Sequence, residues 1–174
     1  MKLKAMQEFA IFDFDGTLTQ LNVDWKSLRQ ENSISKISEI WEFTETKKQQ
    51  VFEIITANEI AGLSSNLLFD RKRFRTLYKF GVLTNNSEKT VVSFFNSINK
   101  GGELPLIYPN FIVGRETLEG PKENEQIFTK GVQLILDSMR VSSPSECLYI
   151  GDQEYELTLA EQFGLAVVSA LDFH

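Results

Sequence analysis

The first apolar stretch of the chain, residues 9–14 (FAIFDF), is short and nearly continuous. Runs of this kind suit a central parallel strand covered on both faces. The pattern then turns helical. Residues 22–32 read as a helix, with Asp24 as a plausible N-cap. Between 33 and 60 the apolar positions Ile34, Ile37, Ile40, Trp41, Val51, Ile54 and Ile55 recur at helical spacing. The charged stretch 45–50 reads as a bend or an exposed face, and Gly62 as a helix stop. A further helix is predicted over 66–79, burying Leu67, Leu68, Phe74, Leu77 and Tyr78. Then the period switches. A strand over 80–83 ends in Thr84-Asn85-Asn86, and Ser87 caps a helix to about 98 that Gly101-Gly102 ends. A strand over 111–113 precedes a helix over 123–139, whose internal Gly131 costs up to about 1 kcal/mol against Ala. A strand over 147–150 ends in Gly151-Asp152. A helix over 154–163 is stopped by Gly164, and a last strand covers 165–169.

Strands alternating with helices predict an α/β fold, a doubly wound parallel sheet, with an all-helical insert after the first strand. The division expected is a core of residues 1–19 and 79–174 and a helical block of 20–78, placed to cover the sheet's edge or act as a lid.

Composition narrows the function classes. The 174 residues are 42% hydrophobic and 24% charged, enough for a core without disulfides. One cysteine, Cys147, excludes a disulfide framework and a multi-cysteine metal cage; in its apolar strand it reads as a packing residue. The net charge of −6 and the absence of a basic face argue against nucleic acid and anionic membranes as partners. The densest basic stretch, Arg71-Lys72-Arg73 with Arg75, reads as a solvated helix face. At the N-terminus Gln7 and Glu8 interrupt the apolar run that a signal peptide needs after Lys2 and Lys4. No run approaches the roughly 20 apolar residues of a membrane helix. A cytoplasmic location is the expectation.

The chemistry lies at the predicted strand ends, where open parallel sheets bind ligands. Asp13 and Asp15 follow the first strand, Thr84 the second and Asp152 the fourth; Lys122 lies near the start of the helix after the third. Asp13 and Asp15, two apart, point the same way. Clustered carboxylates resist joint ionisation unless a cation compensates. A hard divalent ion, Mg²⁺, fits oxygen ligands, whereas zinc would call for His or Cys. The single histidine, His174, reads as a tail residue. With a metal in place, Asp13 suits a nucleophile on phosphorus and Asp15 a general acid and base. Thr84 suits a donor to a phosphoryl oxygen. Lys122 suits neutralising charge on Asp13 and the transferring group.

These stretches resemble, in order and spacing, the motifs of the haloacid dehalogenase superfamily. DFDGTL is similar to its first motif, LTNNS to the second, KENEQIF to the lysine-bearing third and LYIGDQEYE to the fourth. The resemblance covers the whole chain, with 20–78 in the place of the helical cap, and it implies a Rossmannoid core. It further implies a Mg²⁺-dependent phosphatase of the phosphoglycolate-phosphatase-like group, acting on a small phosphorylated metabolite through an aspartyl-phosphate. Gly16, Thr17, Thr84, Asn85 and Lys122 would surround the phosphate, and Asp13, Asp15, Asp152 and Glu156 the metal. Glu156 stands where the family usually has Asp, and its longer arm reaches either a metal-bound water or Lys122. Glu123 and Glu125 replace the usual prolines. The presence of Asp15 favours phosphoryl transfer over dehalogenation. Phosphonate-cleaving members use a cap lysine, and Lys26, Lys36, Lys47 and Lys48 sit in no evidently apolar setting. The alternatives are a β-phosphoglucomutase-like phosphotransferase, a catalytically impaired family member with a binding or regulatory role, and a signalling receiver. A receiver lacks a helical insert after its first strand. Trp25 and Trp41 read as the insert's own core, with a pocket-lining role as the other reading.

Overall fold

Side-chain parity in the first strand, β1 (Phe9–Phe12), assigns its residues to two layers. Ala10 and Phe12 join one core and Ile11 the other. The computed structural model describes residues 8–77, 79–102 and 106–172; Lys2, Lys4, Gln7, Tyr78 and His174 lie outside the described residues. β1 pairs in parallel with β2 (Lys79–Leu83) on one side and β4 (Cys147–Gly151) on the other. β3 (Phe111–Val113) and β5 (Ala166–Ser169) form the edges, giving the order β3-β2-β1-β4-β5. Strand order reverses at β1, so the crevice beyond the carboxyl ends of β1 and β4 is the place where a ligand is expected.

The predicted doubly wound sheet is present. Its helices bury apolar stripes on opposite faces. α1 (Trp25–Glu31) and α2 (Glu45–Ala61) lie between β1 and β2 in sequence; α3 (Glu88–Asn99), α4 (Glu125–Met139) and α5 (Glu154–Phe163) follow the later strands. Val91, Phe94, Phe95 and Ile98 of α3 pack with Phe12, Phe80 and Ile150. Phe128, Val132, Ile135 and Met139 of α4 and Ala160 of α5 pack with Ile11, Cys147 and Tyr149 on the other face. Cys147 is buried among them as expected, and burial pushes its thiol up to about 12. Gly131 brings α4 close to β2: a Cβ there would lie 2.6 Å from Leu83 Cδ1.

The insert departs from the expected pattern in two places. The helical spacing over 33–60 is split into a 3-10 helix, Ile37–Glu42, and α2, because Phe43 and Thr44 adopt extended backbone. The helix expected over 66–79 is only a 3-10 turn, Arg71–Thr76, capped by Asp70 accepting from Lys72 N–H. A local bond from the Asn66 N–H to Ser64 Oγ and the seating of Phe69 and Phe74 on the sheet's core compete with helix there. Arg71 is not a solvated helix residue. Its guanidinium donates to Asn99 Oδ1 and the Ile98 carbonyl at the end of α3. Ile34, Ile40, Val51 and Ile55, with Trp25, Ile37, Phe43 and Phe52 against them, form a small separate core in the insert. Among the described residues no helix is long and apolar enough to cross a membrane.

One strand glycine is there for close approach. A Cβ on Gly81 would collide with Ile135 Cγ2 and lie 3.3 Å from the Phe111 carbonyl oxygen. Gly81→Ala should therefore destabilise the protein by about 1–3 kcal/mol, the usual cost of overpacking, although Ala removes a flexible residue. Chemical denaturation checks it: an unchanged midpoint would mean that α4 shifts freely off β2.

Candidate active site

The chain leaves β1 in a tight turn that presents the two acids. Asp13 extends the ladder, its N–H donating to the Ile150 carbonyl at 2.9 Å. Gly16 then takes φ +81°, the left-handed region that favours glycine. A Cβ there would also lie 2.5 Å from Asp152 Oδ2, so the turn after β1 and the loop after β4 meet face to face. The Gly16 N–H is spent on the Thr19 carbonyl, and the buried Thr17 hydroxyl points to Asp13 Oδ2 at 3.4 Å. Neither residue lines the cavity described below; Gly16 shapes the turn and Thr17 reaches Asp13.

Lys122 joins the site from 109 residues away. Its N–H donates to Asn85 Oδ1, which fixes the loop before α4. Its Nζ lies 2.5 Å from Asp13 Oδ1, 2.7 Å from Glu156 Oε1 and 3.3 Å from the Leu83 carbonyl. The ammonium is 2% exposed. Burial alone would depress its pKa, but Asp13 and Glu156 outweigh burial and hold it above the usual ammonium range. Burial, followed by the Glu156 charge, pushes the Asp13 carboxyl up to about 7 against the pull of Lys122. Asp15 is also raised, by burial first and by Asp152 among nearby charges, while the Leu21 N–H, 2.8 Å from its Oδ1, acts the other way.

Glu156, one turn into α5, is fully committed. Tyr149 donates to Oε2 and Tyr155 to Oε1, both at 2.9 Å, beside the Lys122 contact. Its longer arm reaches Lys122, one of the two placements expected for it. Among the described residues, no cluster of three or more His, Cys, Asp or Glu is arranged to hold a metal. Asp15 is turned to the Leu21 N–H and Glu156 to Lys122. Asp13 and Asp152 are left as the carboxylates on offer. Asp152 Oδ1 is buried and, among the described residues, has no hydrogen-bond partner, while Oδ2 accepts from Gln153. An orphaned carboxylate oxygen beside two carboxyls with raised pKa fits a divalent cation, which Mg²⁺ satisfies with one or two carboxylates plus water and substrate oxygens.

Asp13, Asp15, Thr84, Asn85, Lys122, Asp152 and Glu156 all line one cavity of about 240 Å³, roofed by the insert. Thr84 donates its hydroxyl to Asn86 Oδ1 at 2.8 Å, and Asn85 Nδ2 reaches Glu123. Two residues here were not singled out in the sequence. Glu59 of α2, fully buried, accepts from Asn86 Nδ2, the Ser87 N–H and Thr90 Oγ1, and pairs with Arg115 Nη1 at 3.0 Å. Arg115, 4% exposed, also donates to Thr56 Oγ1 and the Asn85 carbonyl and lies 4.8 Å from the Phe52 ring centroid. Both had a signal. Arg115 follows a strand end, and Glu59 lies in phase with Val51 and Ile55 on the buried stripe of α2.

No family model and no curated protein matches the chain. Solved structures do. A haloacid dehalogenase-like hydrolase from Bacteroides fragilis superimposes with TM-score 0.63 at 17% identity, over 92% of this chain and 85% of that one. A phosphonoacetaldehyde hydrolase-like protein from Oleispira antarctica gives 0.67 at 12%, over 97% and 76%. A haloacid dehalogenase family enzyme from Bacteroides thetaiotaomicron, in complex with magnesium and inorganic phosphate, gives 0.58 at 14%, over 93% of each chain. At such identities the likeness speaks for the backbone, and it agrees with a sheet order, an insert after β1 and strand-end acids arrived at independently: this chain has the haloacid dehalogenase-like fold.

Proposed function

We propose that the protein is a Mg²⁺-dependent phosphatase that hydrolyses a small phosphorylated metabolite through an aspartyl-phosphate on Asp13. The observation that carries this reading is the convergence of Asp13, Lys122 and Asp152, from opposite ends of the sequence, on one cavity. The solved relative with magnesium and inorganic phosphate supports it by analogy. Asp13 and Asp152 would hold the metal, which would offset the negative charge of the phosphoryl group. An Asp13 carboxylate oxygen attacks phosphorus, and the bond from phosphorus to the leaving oxygen breaks. Asp15, its pKa raised toward a proton-carrying role, gives its proton to that oxygen. Asp15, now ionised, takes a proton from water, whose oxygen attacks phosphorus and releases Asp13 and inorganic phosphate. Lys122, held by Glu156, stabilises the charge gathering on the phosphoryl oxygens. Thr84 turns its hydroxyl from Asn86 to one of those oxygens.

Phosphonate cleavage through a lysine imine has less support. The cations lining the cavity are Arg115 and Lys122; Lys26, Lys36, Lys47 and Lys48 of the insert are not among its lining residues. Lys48 pairs with Glu45, and Lys47 lies over the Phe43 ring. Glu156 in place of the usual Asp does not signal an impaired site, because it holds Lys122.

The test is phosphate release from p-nitrophenyl phosphate and a panel of phosphorylated metabolites. EDTA-treated protein should be nearly inactive, and Mg²⁺ should restore at least about tenfold more release, as expected where a cation neutralises transferring charge. Equal rates with and without Mg²⁺, or no release from any compound, would remove the reading.

A further inference from the structure

The cavity over Asp13 has an unusual charge balance. Six acids line it, Asp13, Asp15, Glu59, Glu123, Asp152 and Glu156, against two cations, Lys122 and Arg115. Both cations are already committed within the protein. Lys122 Nζ faces two carboxylates and a carbonyl. Arg115 spends Nη1 on Glu59 and the Asn85 carbonyl, and Nη2 on Glu59 and Thr56. The insert contributes Ser38 and Glu59 to the lining and, beside them, an apolar face of Trp25, Ile37, Trp41 and Phe52, all half-buried. Trp41 and Phe52 are themselves in edge contact, ring centroids 5.0 Å apart.

We infer that the substrate's leaving alcohol carries no second anionic group and presents a compact apolar face, about one ring in size, to Trp25, Trp41 and Phe52. This rests on the phosphatase reading only for the placement of the phosphoryl group over Asp13. A carboxylate or second phosphate on the alcohol would enter beside Glu59 and Glu123 and find, among the described residues, no uncommitted cation lining the cavity. Unpaired burial and like-charge juxtaposition both oppose that. An apolar group there leaves water for aromatic surface, the ordinary source of affinity in small-molecule sites. The volume of about 240 Å³ lies below the roughly 300–1,000 Å³ of pockets for drug-sized ligands, which limits the group's size. Carboxylated phosphoesters such as phosphoglycolate are thereby disfavoured, and small hydrophobic alcohol monophosphates favoured.

Binding of phosphonates tests this without turnover. Calorimetry with Mg²⁺ present would compare benzylphosphonate, propylphosphonate and phosphonoacetate, with inorganic phosphate as reference. Benzylphosphonate should bind at least about tenfold more tightly than phosphonoacetate, with propylphosphonate between them. Trp41→Ala should narrow the benzyl-to-propyl ratio and leave inorganic phosphate binding unchanged. Phosphonoacetate binding as tightly as benzylphosphonate, an unchanged ratio in Trp41→Ala, or no phosphonate binding at all would overturn the inference. Failure to hydrolyse p-nitrophenyl phosphate counts separately, against the phosphatase reading alone.

Discussion

Asp13→Asn is expected to lower phosphate release about a thousandfold or more while the protein melts at or above the wild-type temperature. The rate loss follows from removing the proposed nucleophile, a change that in covalent catalysis costs several powers of ten. The retained stability follows from the environment. Asp13 is buried, and burial with the Glu156 charge pushes its pKa up to about 7 even with Lys122 at 2.5 Å. A neutral amide of the same shape escapes that desolvation. Lys122 is not stranded, because Glu156 remains 2.7 Å away and the Leu83 carbonyl 3.3 Å away. The two readouts must move apart. Steady-state phosphate release and a thermal melt on one preparation measure them. Wild-type turnover in Asp13→Asn would eliminate the aspartyl-phosphate, and a large fall in melting temperature would mean that the carboxylate serves the fold rather than chemistry.

That separation of roles also explains what could be read before the coordinates. The sheet was legible because its strands are short apolar runs, and burial on both faces makes the central ones nearly continuous in sequence. The site's inner residues were legible for the same reason: Asp13, Thr84, Lys122 and Asp152 stand at strand or helix ends, which the topology brings to one rim. The insert was read less well. Residues 66–79 have apolar positions that fit a helix, yet Phe69 and Phe74 are buried against the sheet, and that tertiary seating decides the backbone. Where the side chains of Thr17 and Glu156 turn is decided by hydrogen bonds that spacing does not encode: Thr17 reaches Asp13, and Glu156 takes Lys122, one of its two expected placements. Glu59 and Arg115 carry no motif of their own, and their meaning is the contact between two elements 56 residues apart.

Arg115→Ala carries the second large effect, on stability. Glu59 is completely buried, and among the described residues Arg115 is the cation paired with it. Removing the guanidinium strands a desolvated carboxylate, which costs about 3–5 kcal/mol; at roughly 2–4 °C per kcal/mol for a chain of this size, the melting temperature should fall by about 6–20 °C. Asn86, Ser87 and Thr90 still donate to Glu59, so the loss belongs to the charge and not to empty acceptors. Combining Arg115→Met with Glu59→Gln removes both charges and keeps an acceptor at position 59. The double variant should therefore lose less than the two single variants added together. A melting temperature within about a degree of wild type in Arg115→Ala would mean that water reaches Glu59, and that α2 is not fastened to the sheet by this pair.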